Sequence, residues 1–578
     1  MAGPTAPKDP EKARPFFYIL KDKDIFGERQ KDGTGIQFIY ESDGRLINSA
    51  QITGNVTDKE ELRLLETVEG FGRLVHSIGV SVETDRSEET AEFVFQMYGK
   101  KDLYGGGTNL TTSLKCDGME HRIYLSDYRW TEDDHVPGQI KILFAAPERM
   151  GKVSVRLFLN DGYEAPPEEE DLVIDMHSEE YCGMISRSLL QLGNPYRIRK
   201  AIEKSKAGKE VTLAYIGGSI TQGAGAIPIH TECYAYKSFQ LFQNRFSTQN
   251  NVRFIKAGVG GTPSELGMIR FDRDVLREGE RPDIVVIEFA VNDEGDETKG
   301  VCYESLVRKV LKLPWKPAVV LLFSVFANDW NLQERLRPVG DLYDLPMVSI
   351  RDAVTPQFSL KCGEGRILSK NQFFYDIFHP NNTGHTIMAD CLQYLFERCD
   401  AAEPARVGTF VEGMTEEQIL SEKLSGPAVI GADFERIFLL DKKNRYVGAK
   451  IRAGSFTSTD MELQSVEMDG NLIQTPEFPY NWMYDGSRPQ MAGFEMEITC
   501  KSLFLIFKDS GETDVGKANV FVNDVYCMTA DPHKNNWLHC NAVLLFWETE
   551  SRSHKVRIAV TEEDRNKKFT ILGFGYTI

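Results

Sequence analysis

One serine and one histidine in this sequence have neighbours that would equip them for nucleophilic catalysis. Ser219 follows Gly217 and Gly218 directly after an apolar run, and small residues allow the chain to turn sharply there and present a hydroxyl group. A serine hydroxyl is a poor nucleophile until a base takes its proton. Of the ten histidines, only His379 has an aspartate three positions earlier, and the carboxylate of that Asp376 can fix the tautomer of the imidazole. These residue types and this spacing predict a Ser-His-Asp triad.

Each of these motifs also has an interpretation without catalysis. A glycine-rich turn like the one before Ser219 is typical of phosphate-binding loops too, but no GK[ST] or GxGxxG pattern follows it. An Asp-x-x-His sequence taken alone is more often a solvated turn or a helix cap. His385 is the competing base nearby, and its position at the start of a predicted helix favours a capping or surface role.

Two other segments offer hydrogen-bond donors. Residues 258–262 read Gly-Val-Gly-Gly-Thr, where a backbone N–H unobstructed by a side chain can face a cleft. Asn292, in the Ala-Val-Asn-Asp sequence at 290–293, offers a side-chain amide. In isolation, a tight turn is an equally good interpretation of the glycine segment, and Asn-Asp after a strand is very often only a turn.

The candidate residues follow apolar runs that alternate with helix-like segments. The runs are VTLAYIGG (211–218), VRFIKAGVGG (252–261), DIVVIEFAVND (283–293), AVVLLFSVF (318–326) and PMVSI (346–350). Continuous apolar strands alternating with helices are typical of a parallel sheet covered on both faces. Because ligands bind at the carboxyl ends of such strands, this doubly wound α/β fold would bring the candidate residues to one edge of the sheet.

Period-two alternation of apolar and polar residues predicts antiparallel sheets on both sides of the α/β unit. It runs through residues 70–163 and returns in the C-terminal part in segments such as KSLFLIFKDSG and KFTILGFGYTI. An acidic stretch at 164–172 and a hydrophilic connector at 400–408 mark the predicted boundaries. We therefore expect three domains, namely an N-terminal jelly-roll-like β-sandwich (1–180), a central doubly wound, flavodoxin-like α/β domain (185–402) and a C-terminal β-sandwich of the same kind resembling carbohydrate-binding domains (409–578).

The order of the four motifs resembles that of the SGNH (GDSL-type) hydrolase superfamily, over roughly a third of the chain. The resemblance implies that Ser219 is the nucleophile and that its backbone N–H is an oxyanion donor. It also implies that Gly261 and Asn292 complete the oxyanion hole. By the same resemblance His379 is the base and Asp376 orients it. Three positions depart from the family pattern, with Gly218 for an aspartate, Ala290 for a glycine and Lys256 for an asparagine.

An SGNH unit between two sheet domains resembles the layout of multidomain carbohydrate esterases that remove acetyl groups from plant polysaccharides. The resemblance implies an acyl-enzyme mechanism on acetylated xylan, mannan or pectin, or on their oligosaccharides. Two alternatives stay open: an SGNH lipase, lysophospholipase or thioesterase acting on longer acyl chains, and a non-catalytic carbohydrate-binding protein. Tyr480, Trp482 and Tyr484 have the shape to stack on sugar rings, although packing in a core is the favoured interpretation.

The composition disfavours several classes of partner. With 67 basic and 86 acidic residues the chain has a net charge of −19, which opposes binding to nucleic acid or to an anionic membrane. The sequence shows neither a membrane-spanning run nor a signal-peptide core, so we expect a cytoplasmic protein, or a secreted one if a leader precedes it. The ten cysteines lack metal-type spacing and are expected to be buried reduced thiols. No metal or cofactor is expected, the expected partner is acetylated carbohydrate, and a homo-oligomer is left open.

Overall fold

Three groups of β-strands follow one another along the chain, and helices concentrate around the middle group. The computed structural model describes residues 12–40, 45–53, 58–102, 105–168, 170–277, 279–402, 414–467, 474–487 and 492–578. Most of the predicted connector at 400–408 therefore lies outside the described residues. Within those ranges, no helix is both long and apolar enough to cross a lipid bilayer.

The first group, called the N-terminal sheets, has nine strands among the described residues. They are β1 (Phe16–Phe26), β2 (Glu28–Arg29), β3 (Gly35–Tyr40), β4 (Val75–Thr84), β5 (Thr90–Gly99), β6 (Asn109–Lys115), β7 (His121–Tyr124), β8 (Asp134–Phe144) and β9 (Met150–Leu159). Two antiparallel sheets result, in the orders β1-β9-β4-β7 and β2-β3-β8-β5-β6. Their apolar faces share one hydrophobic core with the helices α1 (Arg45–Thr53), α2 (Lys59–Arg63) and α3 (Val68–Leu74).

The region of alternation read from the sequence, 70–163, contains β4 to β9 but not β1 to β3. In β1 the pairing with β9 shifts register twice, between Tyr18 and Leu20 and again between Leu20 and Lys23. Each shift breaks the strict period of two by which a half-buried strand is read from a sequence. Lys23 is also buried within this strand, so a charged residue stands where the pattern leads one to expect an apolar one.

The second group forms one six-stranded sheet, called the central sheet. Its strands are β10 (Leu189–Gln191), β11 (Val211–Gly217), β12 (Val252–Gly258), β13 (Ile284–Glu288), β14 (Ala318–Phe323) and β15 (Met347–Ser349). They lie in the order β10-β15-β14-β13-β11-β12, with β11 to β15 parallel and β10 antiparallel to β15. The five apolar runs thus form strands as predicted, but each strand ends one or more residues before the end of its run.

Helices cover both faces of the central sheet. They are α4 (Glu179–Ser186), α5 (Tyr196–Lys206), α6 (Ser219–Gln222), α7 (Ile229–Glu232), α8 (Tyr234–Phe246), α9 (Ser264–Phe271), α10 (Val301–Leu311), α11 (Gln333–Tyr343), α12 (Ile350–Phe358), α13 (Lys370–Phe373) and α14 (Asn382–Ala401). Alternate residues of a strand point to opposite faces, so Leu213 packs with α5, α8 and α14 while Ala214 packs with α9 and α10. Both faces of the sheet are buried under helices, which explains why the sequences of its strands are continuous apolar runs.

The third group, called the C-terminal sheets, follows the helix α15 (Glu416–Ser425). Its strands are β16 (Phe438–Leu440), β17 (Ala449–Arg452), β18 (Ser465–Glu467), β19 (Gln474–Pro476), β20 (Trp482–Tyr484), β21 (Phe494–Asp509), β22 (Ala518–Val522), β23 (Val525–Ala530), β24 (His539–Val560) and β25 (Phe569–Thr577). The main sheet has the order β16-β25-β21-β24-β22-β23, with β17 added to β21 and β20 added to β25, while β18 and β19 form a separate pair.

The C-terminal sheets pack directly on the helices that cover one face of the central sheet. Phe504 and Ile506 of β21 and Leu572 of β25 share a hydrophobic core with Met268 of α9 and Leu306 of α10. Other side chains of the same strands fill a separate core inside the C-terminal sheets. Burial of a continuous apolar surface between them holds the two parts of the chain in one arrangement.

Two smaller predictions have mixed outcomes. Trp482 and Tyr484 are buried in the C-terminal core, as the favoured interpretation predicts, whereas Tyr480 is 44% exposed. All ten cysteines lie in the described part of the chain, none of them forms a disulfide there, and seven of them are buried. The expectation of burial is wrong for Cys182 and Cys527, which are exposed, and for Cys362, which is half-buried.

Candidate active site

The parallel register of the central sheet brings three of the predicted segments to one edge. Gly217 at the end of β11 pairs with Gly258 of β12 and with Glu288 of β13. The chain continues from these level positions into the turns that carry Ser219, Gly261 and Asn292. Residues that are far apart in the sequence therefore meet at the carboxyl ends of adjacent strands, where α/β proteins bind their ligands.

A continuous chain of hydrogen bonds joins the three candidate triad residues. Ser219 Oγ lies 2.9 Å from His379 Nε2, and His379 Nδ1 lies 2.9 Å from Asp376 Oδ2. A carboxylate only accepts hydrogen bonds, so Nδ1 of the imidazole carries the proton and Nε2 is free to accept from the serine. The His379 and Asp376 side chains are 20% and 17% exposed, which leaves the serine side of the chain open to a substrate.

The loop that carries Asp376 and His379 is closed on itself. Its ends form an antiparallel bridge between Phe374 and Pro380, and Tyr375 N–H donates to the carbonyl of His379 at 2.8 Å. Asp376 Oδ1 accepts the N–H groups of Phe378 and His379 at 2.8 and 2.9 Å. One carboxylate thus shapes the turn with Oδ1 and orients the imidazole with Oδ2.

A buried lysine of the N-terminal sheets donates hydrogen bonds to the segment that leads into this loop. Lys23 of β1 is 3% exposed, and its ammonium group donates to the carbonyls of Phe374 and Asn371. Burial lowers the pKa of Lys23 from its ordinary value of 10.5 to about 8, against the opposing effect of nearby carboxylates, of which that of Asp376 is the largest. Strand β1 is therefore part of the structure that positions Asp376, the candidate orienting carboxylate.

Asn292 lies against the peptide that precedes the candidate nucleophile. A Cβ at Gly218 would stand 2.2 Å from Asn292 Oδ1 and 2.5 Å from Nδ2, closer than any side chain tolerates. In this backbone arrangement the glycine therefore makes room for the Asn292 amide. The neighbouring Asp293 is buried and accepts from Ser264 N–H at 2.7 Å, so it fixes the turn.

The glycine turn after β12 is enclosed by side chains of the C-terminal sheets. Gly261 has a φ of +69°, a conformation that favours glycine, and a Cβ there would lie 2.8 Å from the Trp537 ring. His539 Nε2 lies 3.1 Å from the Gly261 carbonyl, and Gln464 Nε2 donates to the Gly260 carbonyl at 2.9 Å. Trp537 itself is 44% exposed and borders the turn on its open side.

A buried arginine joins the two strand ends beneath the site. Arg270 of α9 donates to the carbonyl of Gly217 at 2.8 Å and to that of Ala257 at 2.7 Å. Its charge is balanced by Asp274, 3.0 Å away, and both side chains are fully buried. Because the guanidinium group is planar and rigid, it fixes the distance between the serine turn and the glycine turn.

Two residues that the sequence leaves ambiguous have structural roles. The expectation of a capping or surface role for His385 is wrong: the side chain is fully buried, its Nδ1 accepts from Tyr234 N–H and its Nε2 donates to the Ala224 carbonyl, each at 3.1 Å. Burial lowers the pKa of His385 to about 3, so the ring stays neutral. Lys256, which replaces the family's asparagine, donates to the Gln222 carbonyl at 2.9 Å and ties β12 to the serine turn.

The structure brings Ser219, Gly261 and Asn292 to the same edge of the central sheet, and hydrogen bonds join Ser219 to His379 and Asp376 there. The side chains of the flanking sheets that support these residues could not be predicted from the sequence. Lys23, Gln464, Trp537 and His539 come from parts of the chain more than 200 residues away from the segments they support, and they form no motif with them. Only a fold that packs the flanking sheets on the central sheet reveals them.

Comparison with known proteins identifies the central part of the chain. Residues 215–387 match the model of the GDSL-like lipase/acylhydrolase family. A search of curated proteins finds no match. Among solved structures, a two-domain esterase (CEX) active on acetylated mannans is 24% identical and has a TM-score of 0.55, over 68% of this chain and 98% of that chain.

Two further structures are similar at lower scores. The acetylxylan esterase Axe2 from Geobacillus stearothermophilus is 19% identical with a TM-score of 0.26, over 34% of this chain and 97% of its own. A family two carbohydrate esterase from Cellvibrio japonicus is 10% identical with a TM-score of 0.22, over 67% of this chain and 98% of its own.

The family match covers the serine turn, both donor turns and the Asp-x-x-His loop. The similarity to CEX shows a shared fold over about two thirds of the chain. The central part of the protein is thus a GDSL-type (SGNH) hydrolase domain accompanied by sheet-rich parts. The protein is accordingly a carboxylic ester hydrolase.

Proposed function

We propose that the protein is a serine esterase that removes acetyl groups from acetylated polysaccharides or oligosaccharides. The observation that carries the proposal is the hydrogen-bonded chain from Asp376 through His379 to Ser219, with both links at 2.9 Å. A nucleophile, a base and an orienting carboxylate in this arrangement are the requirements of acyl transfer through an acyl-enzyme.

In the proposed reaction, Ser219 Oγ attacks the acetyl carbonyl while His379 Nε2 takes its proton. The bond to the sugar oxygen then breaks, that oxygen receives the proton from His379, and an acetyl group stays on Ser219. Water attacks this ester with His379 again as base, and acetate leaves. Asp376 stabilises the imidazolium that forms in each half of the reaction.

We assign the oxyanion hole to the N–H groups of Ser219 and Gly261 and to the side-chain amide of Asn292. Charge that develops on the carbonyl oxygen would be stabilised by these donors. The level register of β11, β12 and β13 and the contact between Gly218 and Asn292 support the assignment, because they bring all three donors to the same strand ends.

Aromatic side chains near the triad support a carbohydrate substrate. Trp537 borders the glycine turn on one side. On the other side the Phe378 ring lies 6.1 Å from the His379 ring and 5.1 Å from Phe326, which stacks on Trp330. Flat aromatic faces with polar neighbours suit sugar rings, which present both C–H groups and hydroxyls. The similar esterase CEX is described as active on acetylated mannans and was co-crystallised with mannopentaose, which favours mannan among the three expected substrates.

We also propose the division into domains at 1–180, 185–402 and 409–578. Counting β11 to β15 as one to five, the central sheet has the strand order 2-1-3-4-5, which is that of flavodoxin-like folds. Two antiparallel N-terminal sheets around one core support a β-sandwich, and the enclosed core of the C-terminal sheets supports a second.

The first experiment measures acetate released from acetylated xylan, mannan and pectin oligosaccharides. We expect release from at least one of these substrates by the native protein and none by Ser219→Ala. Equal release by both proteins would refute the proposed nucleophile. Rates on nitrophenyl esters test the acyl group: acetate far above octanoate supports deacetylation, whereas octanoate above acetate would assign the enzyme to longer acyl chains.

The second experiment tests the carbohydrate with Trp537→Ala. An aromatic contact is worth about 0.5 to 1.5 kcal/mol, so kcat/KM on the best acetylated oligosaccharide should fall roughly three- to tenfold. Hydrolysis of 4-nitrophenyl acetate, which has no sugar, reports any loss that comes from the packing of Trp537 on the glycine turn, and its kcat/KM should fall at least about threefold less. Trp547→Ala is the matched control, because Trp547 is similarly exposed at 42% but lies within β24, whereas Trp537 precedes that strand. Equal losses on both substrates would show that Trp537 does not recognise sugar.

A further inference from the structure

Two polar side chains of the C-terminal sheets hold the peptide that carries the assigned oxyanion donor of the glycine turn. Gln464 immediately precedes β18, is 9% exposed and donates from Nε2 to the Gly260 carbonyl at 2.9 Å. Its Oε1 accepts from Cys540 N–H at 3.0 Å. The two contacts fix which end of the amide is nitrogen, since the reverse orientation would set oxygen against oxygen and N–H against N–H.

The position of Gln464 determines where the Gly261 N–H points. The Gly260 carbonyl and the Gly261 N–H belong to one planar trans peptide, in which they point in opposite directions. With the carbonyl drawn toward the C-terminal sheets, the N–H is turned away from them. The loop packs on that other side against the serine turn, where a Cβ at Gly258 would stand 2.0 Å from Gln222 N. A hydrogen bond to the carbonyl also polarises the N–H of the same peptide and strengthens it as a donor.

His539 holds the next peptide in the same way. Its Nε2 lies 3.1 Å from the Gly261 carbonyl, and its Nδ1 lies 3.2 Å from Asn535 Nδ2 and 3.3 Å from Asp509 Oδ2. A neutral ring protonated on Nε2 accepts at Nδ1 from Asn535, and a charged ring donates at Nδ1 to Asp509. A backbone carbonyl only accepts, so Nε2 carries a proton and donates to Gly261 in either case.

We propose that Gln464, supported by His539, is a positioning residue for the oxyanion donor of Gly261, so that the C-terminal sheets complete the catalytic machinery of the central domain. The inference rests on the proposed function, because it assumes that the Gly261 N–H binds the oxyanion. Neither side chain touches the reacting atoms. Their effect is on the orientation and the strength of a donor that a flexible glycine turn would otherwise leave loosely placed.

The test compares Gln464→Glu and Gln464→Met with the native protein on 4-nitrophenyl acetate. Methionine has nearly the same shape but cannot donate, so kcat should fall between about ten- and a hundredfold while KM stays within about threefold. A glutamate carboxylate would repel the Gly260 carbonyl at about pH 8, whereas its protonated form donates an O–H there and still accepts from Cys540. The activity of Gln464→Glu relative to the native protein should therefore rise at least about fivefold between pH 8 and pH 5.5, and that of Gln464→Met should not.

Gln249→Glu, an exposed change of the same charge, is the control and should follow the native pH profile. A buried carboxyl group also makes stability depend on pH, so activities are compared at a temperature at which circular dichroism shows Gln464→Glu folded at both pH values. An unchanged kcat in Gln464→Met, or a flat pH ratio in Gln464→Glu, would overturn the inference. Failure of the proposed function looks different: the native protein would then lack esterase activity, or Ser219→Ala would retain it.

Discussion

A buried carboxyl group beneath the serine turn should make the stability of the protein depend on pH. Glu288 is the last residue of β13, is fully buried and accepts from Thr221 Oγ1 at 3.1 Å. Burial raises the pKa of Glu288 from its ordinary value of 4.5 to about 7, and the nearby polar groups of Ser324, Thr221 and the Gly218 backbone oppose that rise only in part. We predict that Glu288→Gln, which mimics the protonated form, stabilises the protein at pH 8.

The sign and size of the effect follow from proton linkage. Below pH 4.5 the group is protonated in both the folded and the unfolded chain, and stability is not affected by its titration. Between pH 4.5 and about 7 the unfolded chain loses this proton first, so the free energy of unfolding falls as pH rises. One pH unit corresponds to about 1.4 kcal/mol, and the native protein should lose about 3 kcal/mol over this window. Glutamine does not titrate and should avoid that loss.

Thermal unfolding of both proteins at pH 5 and pH 8 measures the difference. For a domain of this size, 1 kcal/mol shifts the melting temperature by about 2–4 °C, so the advantage of Glu288→Gln should grow by roughly 5–10 °C between the two pH values. Glu294→Gln removes an exposed carboxylate near the same strand end and should show no such growth. A constant difference between Glu288→Gln and the native protein at the two pH values would show that Glu288 does not keep its proton above pH 5 in the folded protein.

Three further substitutions test the site. Asn292→Ala should lower kcat on 4-nitrophenyl acetate roughly a hundredfold or more without unfolding the protein, as expected for a lost oxyanion donor; an unchanged kcat would contradict that role. Gly218→Ala should displace the Asn292 amide and cause a loss of similar size, and a crystal structure with Asn292 unmoved would argue against this steric account. Lys23→Met removes the ammonium group that donates to the Phe374 carbonyl, so Asp376 should shift and kcat should fall about tenfold with KM nearly unchanged. A native kcat in Lys23→Met would show that the N-terminal sheets do not contribute to catalysis through this contact.

Much of the central sheet could be predicted from the sequence because its strands are buried on both faces. A strand such as VTLAYIG has no polar face, so the apolar run and the strand nearly coincide, and the following turn is the place where chemistry is expected. The Asp-x-x-His spacing is equally local, since the carboxylate contacts both the backbone and the ring three residues later. Local patterns of this kind are visible without a fold.

The remaining features depend on contacts between distant parts of the chain. Lys23 appears in the sequence as a surface residue of an irregular charged segment, and only the packing of β1 against the loop at 371–374 explains its burial. Gln464 and His539 reach the glycine turn because β21 and β25 pack on α9 and α10. His385 misleads for the same reason, since its burial depends on the loop at 224 lying over the start of α14. No local period or motif encodes these contacts.

The assignment of Ser219 as nucleophile and His379 as base is tested by finding the residue on which a fluorophosphonate forms its covalent adduct. We predict a single adduct on the native protein, located by tandem mass spectrometry at Ser219, and formation slowed roughly a thousandfold or more in His379→Ala because the serine loses its base. An adduct on another residue, or an unchanged rate of labelling in His379→Ala, would contradict the assignment of Ser219 and His379 as nucleophile and base.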